Sequence, residues 1–293
     1  MYETTITVGI PTFNEESNIT AFFQQLVGQI GQMAYEFEII LIDDSEDNTP
    51  FILNEIRQTY SDLSIQVIHN NKRMGAAHAW NTILQMAKGK IIVLLDADIE
   101  FGKDCIKNLI TSITGEVGLC ASNTLPRAKN KTRYSSASSF IAYWLRSVRL
   151  HGLSQYTTMG RALSLTGEVG KKIRIPNDII AIDLYLQCLV IQAGKLVSYN
   201  DEATIYFTPP STRHDFYGQI VRAIRGHAQI NKFVRKFKFN ASPVTLIFEF
   251  LRTGSEYPRG AFDLISCYIF LPIYYCKNRN NISHLWDIAS STK

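Results

Sequence analysis

The chain has 293 residues, of which 46% are hydrophobic and 19% are charged, and its formal net charge is +4 at pH 7. These values are ordinary for a globular protein, so they argue against a disordered chain and allow one large core or two modest ones. A charge this small does not by itself indicate nucleic-acid binding, and five cysteines without Cys-x-x-Cys spacing support neither a disulfide framework nor a zinc site.

The N-terminal residues MYETT pass directly into the strand-like ITVGI, without a basic segment, an apolar stretch or a cleavage site. We therefore expect a cytoplasmic protein with reduced thiols rather than a secreted one. No uncharged apolar run reaches the roughly 20 residues that a spanning helix needs. The best candidate, Leu264 to Cys276, is short and contains Pro272.

The first 125 residues alternate strand-like apolar runs with amphipathic, helix-like segments. Such alternation predicts an α/β fold with a mostly parallel, Rossmann-like central sheet flanked by helices. The predicted strands are ITVGI, EFEIILI, SIQVIHN, KIIVLL and VGLCAS, and the predicted helices are 15–30, 49–60, 75–88 and 104–113.

Two of these strands end in carboxylates. Asp43 and Asp44 follow EFEIILI, and Asp96 and Asp98 follow KIIVLL. Because ligands gather at the carboxyl ends of parallel strands, we expect these side chains to share one edge of the sheet. Crowded carboxylates need a cation or hydrogen-bond donors, and hard oxygen ligands suit Mg²⁺ or Mn²⁺ carrying a phosphorylated substrate. Two ordinary Asp-containing turns are the alternative explanation.

The second half begins with a change of composition. From Pro126 to about Thr158 the chain is basic and aromatic, which predicts an insertion or a mobile connection over the sheet edge. After it, GRALSLTG precedes a predicted helix at 180–193, the strand pair KLVSY and ATIYF, and a basic helix that begins near Asp215.

The last part of the chain mixes basic and aromatic residues. NKFVRKFKFN at 231–240 is followed by VTLIFEFL and LISCYIFLPIYY. A basic amphipathic stretch beside apolar helices is typical of a segment that lies in a membrane interface, here the inner face. A helical pair that packs on the sheet, or a dimer interface, explains the composition equally well.

An ordered series of motifs resembles that of family-2 glycosyltransferases with the GT-A fold: GIPTFNE, IDDSEDNT, NKRMGAAHAWN, LDAD, AIDLYL and QIVRAIRG. The resemblance covers Thr7 to about Gly226. It implies a nucleotide-sugar donor and a divalent cation, Mg²⁺ or Mn²⁺. We accordingly expect a nucleotide-sugar-binding half at 1–125, an acceptor-binding and catalytic half at 126–230, and a helical extension at 231–293.

The resemblance also implies roles for single residues. Asp98 is the expected metal ligand, Asp96 would contact the metal or the ribose, and Asp44 would contact the base or the ribose. Arg73 would contact the nucleotide, and Gly75 allows a close approach or a helix start. The other donor-site residues are Pro11, Phe13 and Glu15 in the nucleoside pocket, and Gln219, Arg222 and Arg225, which a spacing of three places on one helix face toward phosphate oxygens. An exposed basic helix that meets a membrane headgroup is the alternative for this last group.

Transfer to a hydroxyl needs a base on the side of the sugar opposite the diphosphate. Asp183 in AIDLYL is the candidate, after a helix cap expected near 177–178, and Asp178 is the competing carboxylate. Two positions depart from the family pattern, because Ile182 stands where the family has Glu and Ala223 stands where QxxRW has Trp. Without the indole, a stacking surface for a growing sugar chain is missing, which argues against processive polymerisation.

The sequence therefore predicts an inverting, metal-dependent glycosyltransferase that moves a single sugar to an acceptor hydroxyl. A UDP-sugar is favoured as donor over GDP-mannose, and the acceptor is a lipid-linked molecule or a glycan. A polyprenyl-phosphate sugar synthase and a non-catalytic nucleotide-binding scaffold remain as alternatives. We expect no nucleic-acid partner, and the oligomeric state is open.

Overall fold

The computed structural model describes residues 5–153, 160–237, 242–277, 285 and 289–292. Its eight strands are β1 (Thr5–Thr12), β2 (Glu36–Asp43), β3 (Ser64–His69), β4 (Ile91–Leu95), β5 (Ile99–Phe101), β6 (Val117–Pro126), β7 (Ala162–Thr166) and β8 (Leu196–Phe207). The α-helices of this part are α1 (Ile19–Ile30), α2 (Thr49–Thr59), α3 (Ala76–Met86), α4 (Cys105–Thr111), α5 (Arg133–Val148), α6 (Gly167–Lys172), α7 (Ile182–Gln192), α8 (Arg213–Val234), α9 (Pro243–Glu256) and α10 (Pro258–Lys277).

The strands form one sheet in the order β3-β2-β1-β4-β7-β6-β8-β5. Strands β1 to β4 run parallel to their neighbours among themselves, and β6 is parallel to β8. Strand β7 is antiparallel to both β4 and β6, and β5 is antiparallel to β8. The sheet is therefore mixed but mostly parallel, as the sequence predicts, and the carboxyl ends of β1, β2 and β4 meet at one edge.

Helices cover both faces of the sheet. Along β2, Ile39 and Leu41 belong to one buried cluster, and Ile40 and Ile42 belong to another, because successive strand side chains point to opposite faces. Helices α1, α2 and α4 contribute to the first cluster, and α3, α6 and α7 contribute to the second. This burial on both faces explains why the strands are continuous apolar runs rather than alternating ones.

The segment predicted as a connection from Pro126 contains helix α5 instead. Thr132 and Ser135 form a capping box at its start, and its buried face includes Ala137 and Phe140, which have the spacing of a helix. The serine-rich beginning of the helix concealed this pattern. Residues 154–158 of the predicted connection lie outside the described part of the chain.

Other element predictions also change. The strands predicted as KLVSY and ATIYF are one strand, β8, whose pairing with β6 shifts register between Ser122 and Asn123. Helix α1 begins at Ile19 rather than at residue 15, and α7 has Ala181 as its N-cap instead of the expected 177–178. The boundary expected at residue 230 falls inside α8. Short elements such as β5 and α6 have too few residues for a periodic signal.

The C-terminal helices pack on α5 and α8 rather than forming a layer directly on the sheet. The indole Nε1 of Trp144 donates to the carbonyl of Leu246 (3.0 Å), and the rings of Phe140 and Phe250 meet edge to face at 5.2 Å. The hydroxyl of Tyr217 donates to the carbonyl of Cys267 (2.8 Å). Within the described residues, no helix is long and apolar enough to cross a membrane. All five cysteines are free.

Candidate functional site

A cavity of about 190 Å³ lies at the carboxyl ends of β1, β2 and β4. Every donor-site and metal-site residue expected from the sequence lines this cavity, with the exception of Arg225. These residues are Pro11, Phe13, Glu15, Asp44, Arg73, Asp96, Asp98, Gln219 and Arg222. Residues more than 200 positions apart in the chain thus surround one space, which we call the donor cavity.

One wall of the donor cavity is organised by Asp44. Its carboxylate accepts hydrogen bonds from the backbone N–H groups of Met74 (2.8 Å) and Gly75 (2.7 Å) and from the side chain of Asn70 (2.8 Å). Gly75 has φ +89° and precedes the first residue of α3, a conformation that favours glycine. Asp44 therefore determines the path of the loop that carries Arg73.

Arg73 in turn stacks on Phe13. The guanidinium carbon lies 3.8 Å from the centre of the ring, a distance typical of a cation–π contact. The aromatic residue that follows β1 and the basic residue that precedes α3 thus form one side of the cavity. A flat aromatic and guanidinium surface of this kind suits a nucleobase or a phosphate.

Arg161 is the main cavity residue that the sequence did not predict. Its Nη1 donates to both carboxylate oxygens of Asp98 (3.1 Å each), and its backbone carbonyl accepts from the N–H of Asp96 (2.8 Å). The cause lies in the topology, since antiparallel β7 begins where β4 ends and Ala162 pairs with Leu95. No motif in GRALSLTG indicates this position.

The carboxylates and guanidinium groups of the cavity perturb one another. Burial, reinforced by the charge of Asp98, raises the pKa of Asp96 to about 8, although Arg161 opposes this shift. Burial, with the nearby charge of Arg161, lowers the pKa of Arg222 to about 10. The cavity thus holds three carboxylates, Glu15, Asp96 and Asp98, and two arginines, Arg161 and Arg222, close enough to affect one another's protonation.

The two carboxylates fit a divalent cation. Asp96 takes up a proton easily because its negative charge is poorly solvated, and a cation could replace that proton. No group of three His, Cys, Asp or Glu side chains suited to a metal occurs among the described residues. An ion at Asp96 and Asp98 would therefore take its remaining ligands from substrate oxygens or water, which is the usual arrangement for Mg²⁺ at phosphates.

A second cavity of about 340 Å³ opens beside the first. The two cavities share a wall formed by Pro11, Ala76, Asp96, Arg161, Gln219 and Arg222. The second cavity also contains Asp183, and we call it the acceptor-side cavity. Its other lining residues are mostly apolar and come mainly from α3, α5, α7 and α8, among them Trp80, Ile141, Leu145, Ile182, Phe216 and Ile220.

Asp183 lies in the first turn of α7. Its carboxylate accepts hydrogen bonds from the backbone N–H groups of Gly160 (3.2 Å) and Leu184 (2.9 Å). Burial raises its pKa, while these hydrogen bonds and the charge of His227 act in the opposite direction. Asp178, the competing carboxylate, is exposed and lines neither cavity, and its carbonyl accepts from Gln229 Nε2 (2.8 Å).

The two departures from the family pattern both border the acceptor-side cavity. Ile182 is 5% exposed and packs in the apolar cluster to which α3, α6 and α7 contribute. At the position where the family pattern has a carboxylate, this chain therefore makes an apolar contact. Ala223 lines the cavity together with His227, which is one helical turn further along the same face of α8. The sequence did not predict His227 as a site residue.

Arg225 lies apart from the donor cavity. Its guanidinium lies 5.7 Å from the centre of the Tyr275 ring in α10. Three residues of an α-helix fall short of a full turn by about 60°, so Arg225 is about 120° around the helix from Gln219. Two successive spacings of three residues therefore do not place Gln219, Arg222 and Arg225 on one face of α8.

Curated relatives match part of the chain. The undecaprenyl-phosphate 4-deoxy-4-formamido-L-arabinose transferase of Proteus mirabilis (strain HI4320) is 27% identical over 159 residues, which are 54% of this chain and 48% of the relative. The UDP-Glc:alpha-D-GlcNAc-diphosphoundecaprenol beta-1,3-glucosyltransferase WfgD of Escherichia coli is 34% identical over 94 residues, which are 32% of this chain and 34% of the relative. The chain thus spans about half or less of the length of these relatives.

A solved structure matches the whole fold. The mannosyltransferase PcManGT from Pyrobaculum calidifontis, in complex with GDP-Man and Mn²⁺, has a TM-score of 0.63 at 18% identity. The match covers 96% of this chain and 82% of the other. The fold of this chain is accordingly the GT-A type.

The sequence model of the family described as Glycosyl transferase family 2 matches residues 7–167. This range runs from β1 to the first residue of α6 and contains the acidic motifs at the ends of β2 and β4. More than half of the chain therefore carries the family pattern, and the chain belongs to glycosyl transferase family 2.

Proposed function

We propose that this protein transfers a single sugar from a nucleotide-sugar to an acceptor hydroxyl with inversion at the anomeric carbon. The observation that carries the proposal is the pair of adjoining cavities. One contains the guanidinium groups and carboxylates that suit a nucleoside diphosphate, and the other, across the shared wall, contains the partly buried carboxylate of Asp183. Direct displacement at the anomeric carbon needs the leaving group on one side of the sugar and the base on the other side.

The donor is proposed to be a UDP-sugar, with GDP-mannose as the second choice. Support comes from similar proteins, since one relative is named as a UDP-Glc-dependent glucosyltransferase and a solved structure of the same fold contains GDP-Man. Arg161 and Arg222 would stabilise the negative charge that develops on the departing diphosphate, because guanidinium groups in a partly dry site act strongly on such charge. Arg73, Phe13 and Asp44 would hold the nucleoside end.

Asp96 and Asp98 are proposed to hold Mg²⁺ or Mn²⁺ with the donor diphosphate. When bound, such an ion neutralises charge on the leaving phosphate oxygens. The hydrogen bonds of Arg161 orient Asp98, and the carbonyl of Arg161 holds the backbone of Asp96. The two carboxylates would thus be positioned before the donor arrives.

Asp183 is proposed to accept the proton of the acceptor hydroxyl. Two backbone N–H groups fix its carboxylate, and its raised pKa strengthens it as a base. A lipid-linked acceptor is supported by the apolar lining of the acceptor-side cavity and by relatives named for undecaprenyl-linked substrates. Ala223 leaves no indole for a growing glycan, so the proposal is for one transfer rather than polymerisation.

A second candidate is a polyprenyl-phosphate sugar synthase, since relatives include an undecaprenyl-phosphate transferase and a dolichol-phosphate mannosyltransferase. A phosphate acceptor is already ionised and needs no base. A cytoplasmic location and the division of the chain into a donor half and an acceptor half stay predictions. A non-catalytic scaffold role is a further alternative, which the following experiment tests.

The experiment uses the full chain with radiolabelled UDP-sugars and GDP-mannose, each offered with polyprenyl phosphate and with a polyprenyl-diphosphate-linked sugar. We expect transfer to the sugar hydroxyl, and we expect Asp183→Asn to lower kcat by about 10²- to 10⁴-fold because the base is lost. Asp178→Asn is the matched control and should leave kcat nearly unchanged.

Transfer to polyprenyl phosphate that persists in Asp183→Asn would replace our proposal with the synthase. No transfer from any donor, together with nucleotide binding, would favour the scaffold. The anomeric configuration of the product, read from its NMR coupling constant, tests inversion.

A further inference from the structure

Helix α9 exposes a continuous apolar stripe. Val244, Ile247, Phe248 and Leu251 are between 61% and 75% exposed. Their spacing of three and four residues places them on one face of the helix. The other face carries Glu249, Phe250 and Thr253 toward α5 and its neighbours, where the carboxylate of Glu249 accepts from the hydroxyl of Ser147.

Helix α10 repeats this arrangement. Phe262, Ile265, Ile269 and Ile273 are between 53% and 71% exposed and again share one face by their spacing. Leu264 and Cys267 are buried against α5 and α8. Only Tyr257 separates the two helices. We call the eight exposed residues of α9 and α10 the apolar face.

The apolar face is unusual for a protein surface. Single exposed aliphatic side chains are common, but eight large ones on two consecutive helices mark an interaction site. The interior of the fold already has its own apolar clusters, so these side chains are not needed to complete a core.

Exposed cations outnumber exposed carboxylates on the helices that carry the apolar face and at the end of α8. The exposed charged side chains described on α9 and α10 are Arg252, Glu256 and Arg259. The end of α8 and the turn after it add exposed Lys232, Arg235 and Lys236. Five residue steps connect Phe237, which follows this basic group, to Ser242, which precedes α9, so the Cα atoms of these two residues lie at most about 18 Å apart.

A small cavity on α10 adds two further cations. It has a volume of about 180 Å³ and is lined by Arg133, Tyr134, Arg213, Tyr217, Cys267 and Phe270, without a carboxylate. Phe270 is itself 49% exposed. Two guanidinium groups beside an exposed aromatic ring suit the phosphate of a headgroup whose acyl chains lie against apolar side chains.

We propose that the apolar face rests in the surface of a lipid bilayer that carries anionic headgroups, with α9 and α10 in the interface rather than across it. The charge pattern selects this occupant over a second copy of the chain, because two copies would bring like cations together while anionic lipids neutralise them. The inference does not depend on the proposed donor or acceptor, since vesicle binding is measured without either.

The test is sedimentation of the purified full chain with vesicles of phosphatidylcholine alone and of phosphatidylcholine mixed with phosphatidylglycerol. We expect binding to the mixed vesicles, weakened by salt. The variant Phe248→Ser/Leu251→Ser/Ile269→Ser/Ile273→Ser should bind at least tenfold more weakly, because the buried apolar area drives insertion. Arg133→Gln/Arg213→Gln should lose about fivefold per cation near the surface.

Matched controls distinguish the loss of contact with the vesicle from a general effect of removing exposed apolar or basic side chains. Phe51→Ser removes an apolar side chain that is 66% exposed on α2, and Lys103→Gln/Lys107→Gln removes two cations near α4. Both should bind vesicles like the wild type. All substituted side chains are exposed, and circular dichroism should report an unchanged fold.

Three outcomes would overturn the proposal. The first is absence of vesicle binding by the wild type. The second is equal binding by the apolar-face variant. The third is a dimer in light scattering that the apolar-face variant converts to monomer while vesicles bind neither protein, which would assign the face to a second copy.

Discussion

At the scale of single residues, the site depends on side chains that hold one another before any ligand binds. Asp44 orients a loop, Arg73 stacks on Phe13, and Arg161 bonds both oxygens of Asp98. Such preorganisation lowers the cost of ordering these groups when a charged substrate arrives. The acidic motifs are therefore only half of the electrostatic arrangement, and the arginines supply the other half.

Arg161→Gln tests this balance. The change removes a cation beside two crowded carboxylates and, in the proposed function, one donor to the leaving diphosphate, so we expect kcat/KM to fall by about 10²- to 10³-fold. Steady-state kinetics with the established donor measure it. Arg127→Gln is the control, because Arg127 is an exposed arginine that pairs with Glu100 outside both cavities. An unchanged kcat/KM in Arg161→Gln would refute the role.

At the scale of elements, the site is assembled from strand ends and two helices that approach closely. The N-cap of α7 and the middle of α8 meet at Gly226, where an added Cβ would lie 3.0 Å from the Cβ of Ala181. This close approach brings the helix with Arg222 next to the helix with Asp183. The close approach of α7 explains why a glycine occupies position 226 in the middle of a long helix.

The C-terminal residues form another such element. Ala289 and Thr292 line the donor cavity, and the N–H of Ser291 donates to the carboxylate of Asp215 in α8 (3.0 Å). Burial alone would raise the pKa of Asp215, but hydrogen bonds, chiefly from Ser291, outweigh burial and lower it. The charged form of Asp215 therefore holds this segment beside the donor cavity.

Asp215→Ala should release the segment. We expect the free energy of unfolding to fall by about 1–3 kcal/mol, because a buried hydrogen bond to a charged group is lost, and nucleotide affinity to fall with it. Since the folded-state pKa is lowered, this stability is present above the ordinary Asp pKa of about 3.9 and is lost as pH falls through the folded value.

Urea titrations of wild type and variant between neutral and acidic pH measure the difference. It should shrink below about pH 4. Asp62→Asn on an exposed turn is the control. A difference that stays constant down to the lowest pH would contradict the assigned hydrogen bond.

At the scale of the whole molecule, a single mixed sheet presents the donor cavity at one edge while α5, α8, α9 and α10 form a separate helical layer beside it. The acceptor-side cavity lies between these parts, since α5 and α8 line it and also carry the C-terminal helices. Helices α5 and α8 therefore connect the cavities at the sheet edge with the C-terminal helices.

A thermal-shift panel tests the donor site as a unit. UDP, GDP, CDP and their sugar conjugates are added with and without Mn²⁺ to wild type and Asp98→Ala. Free ligand at about 100 times its Kd stabilises the fold by about 2.7 kcal/mol, which raises Tm by roughly 2–4 °C per kcal/mol for a chain of this size. We expect one nucleotide to give a metal-dependent rise that Asp98→Ala loses. No rise with any nucleotide would reject the donor cavity.

The sequence by itself determined the alternation of β1 to α4 and the residues at the strand ends, including Asp44, Asp96 and Asp98. These are local signals, because a buried parallel strand is a continuous apolar run and its carboxyl end is where polar residues first appear. The resemblance to the family additionally predicted Asp183, Gln219 and Arg222 as site residues.

Only the tertiary structure decided the rest. Arg161 reaches Asp98 because β7 pairs antiparallel with β4, and His227, Ala289 and Thr292 line cavities because helices and a terminal segment fold over the sheet edge. Arg225 faces Tyr275 instead of the cavity. Such contacts join residues that are distant in sequence, so they depend on strand order and helix packing, which periodicity along the chain does not encode.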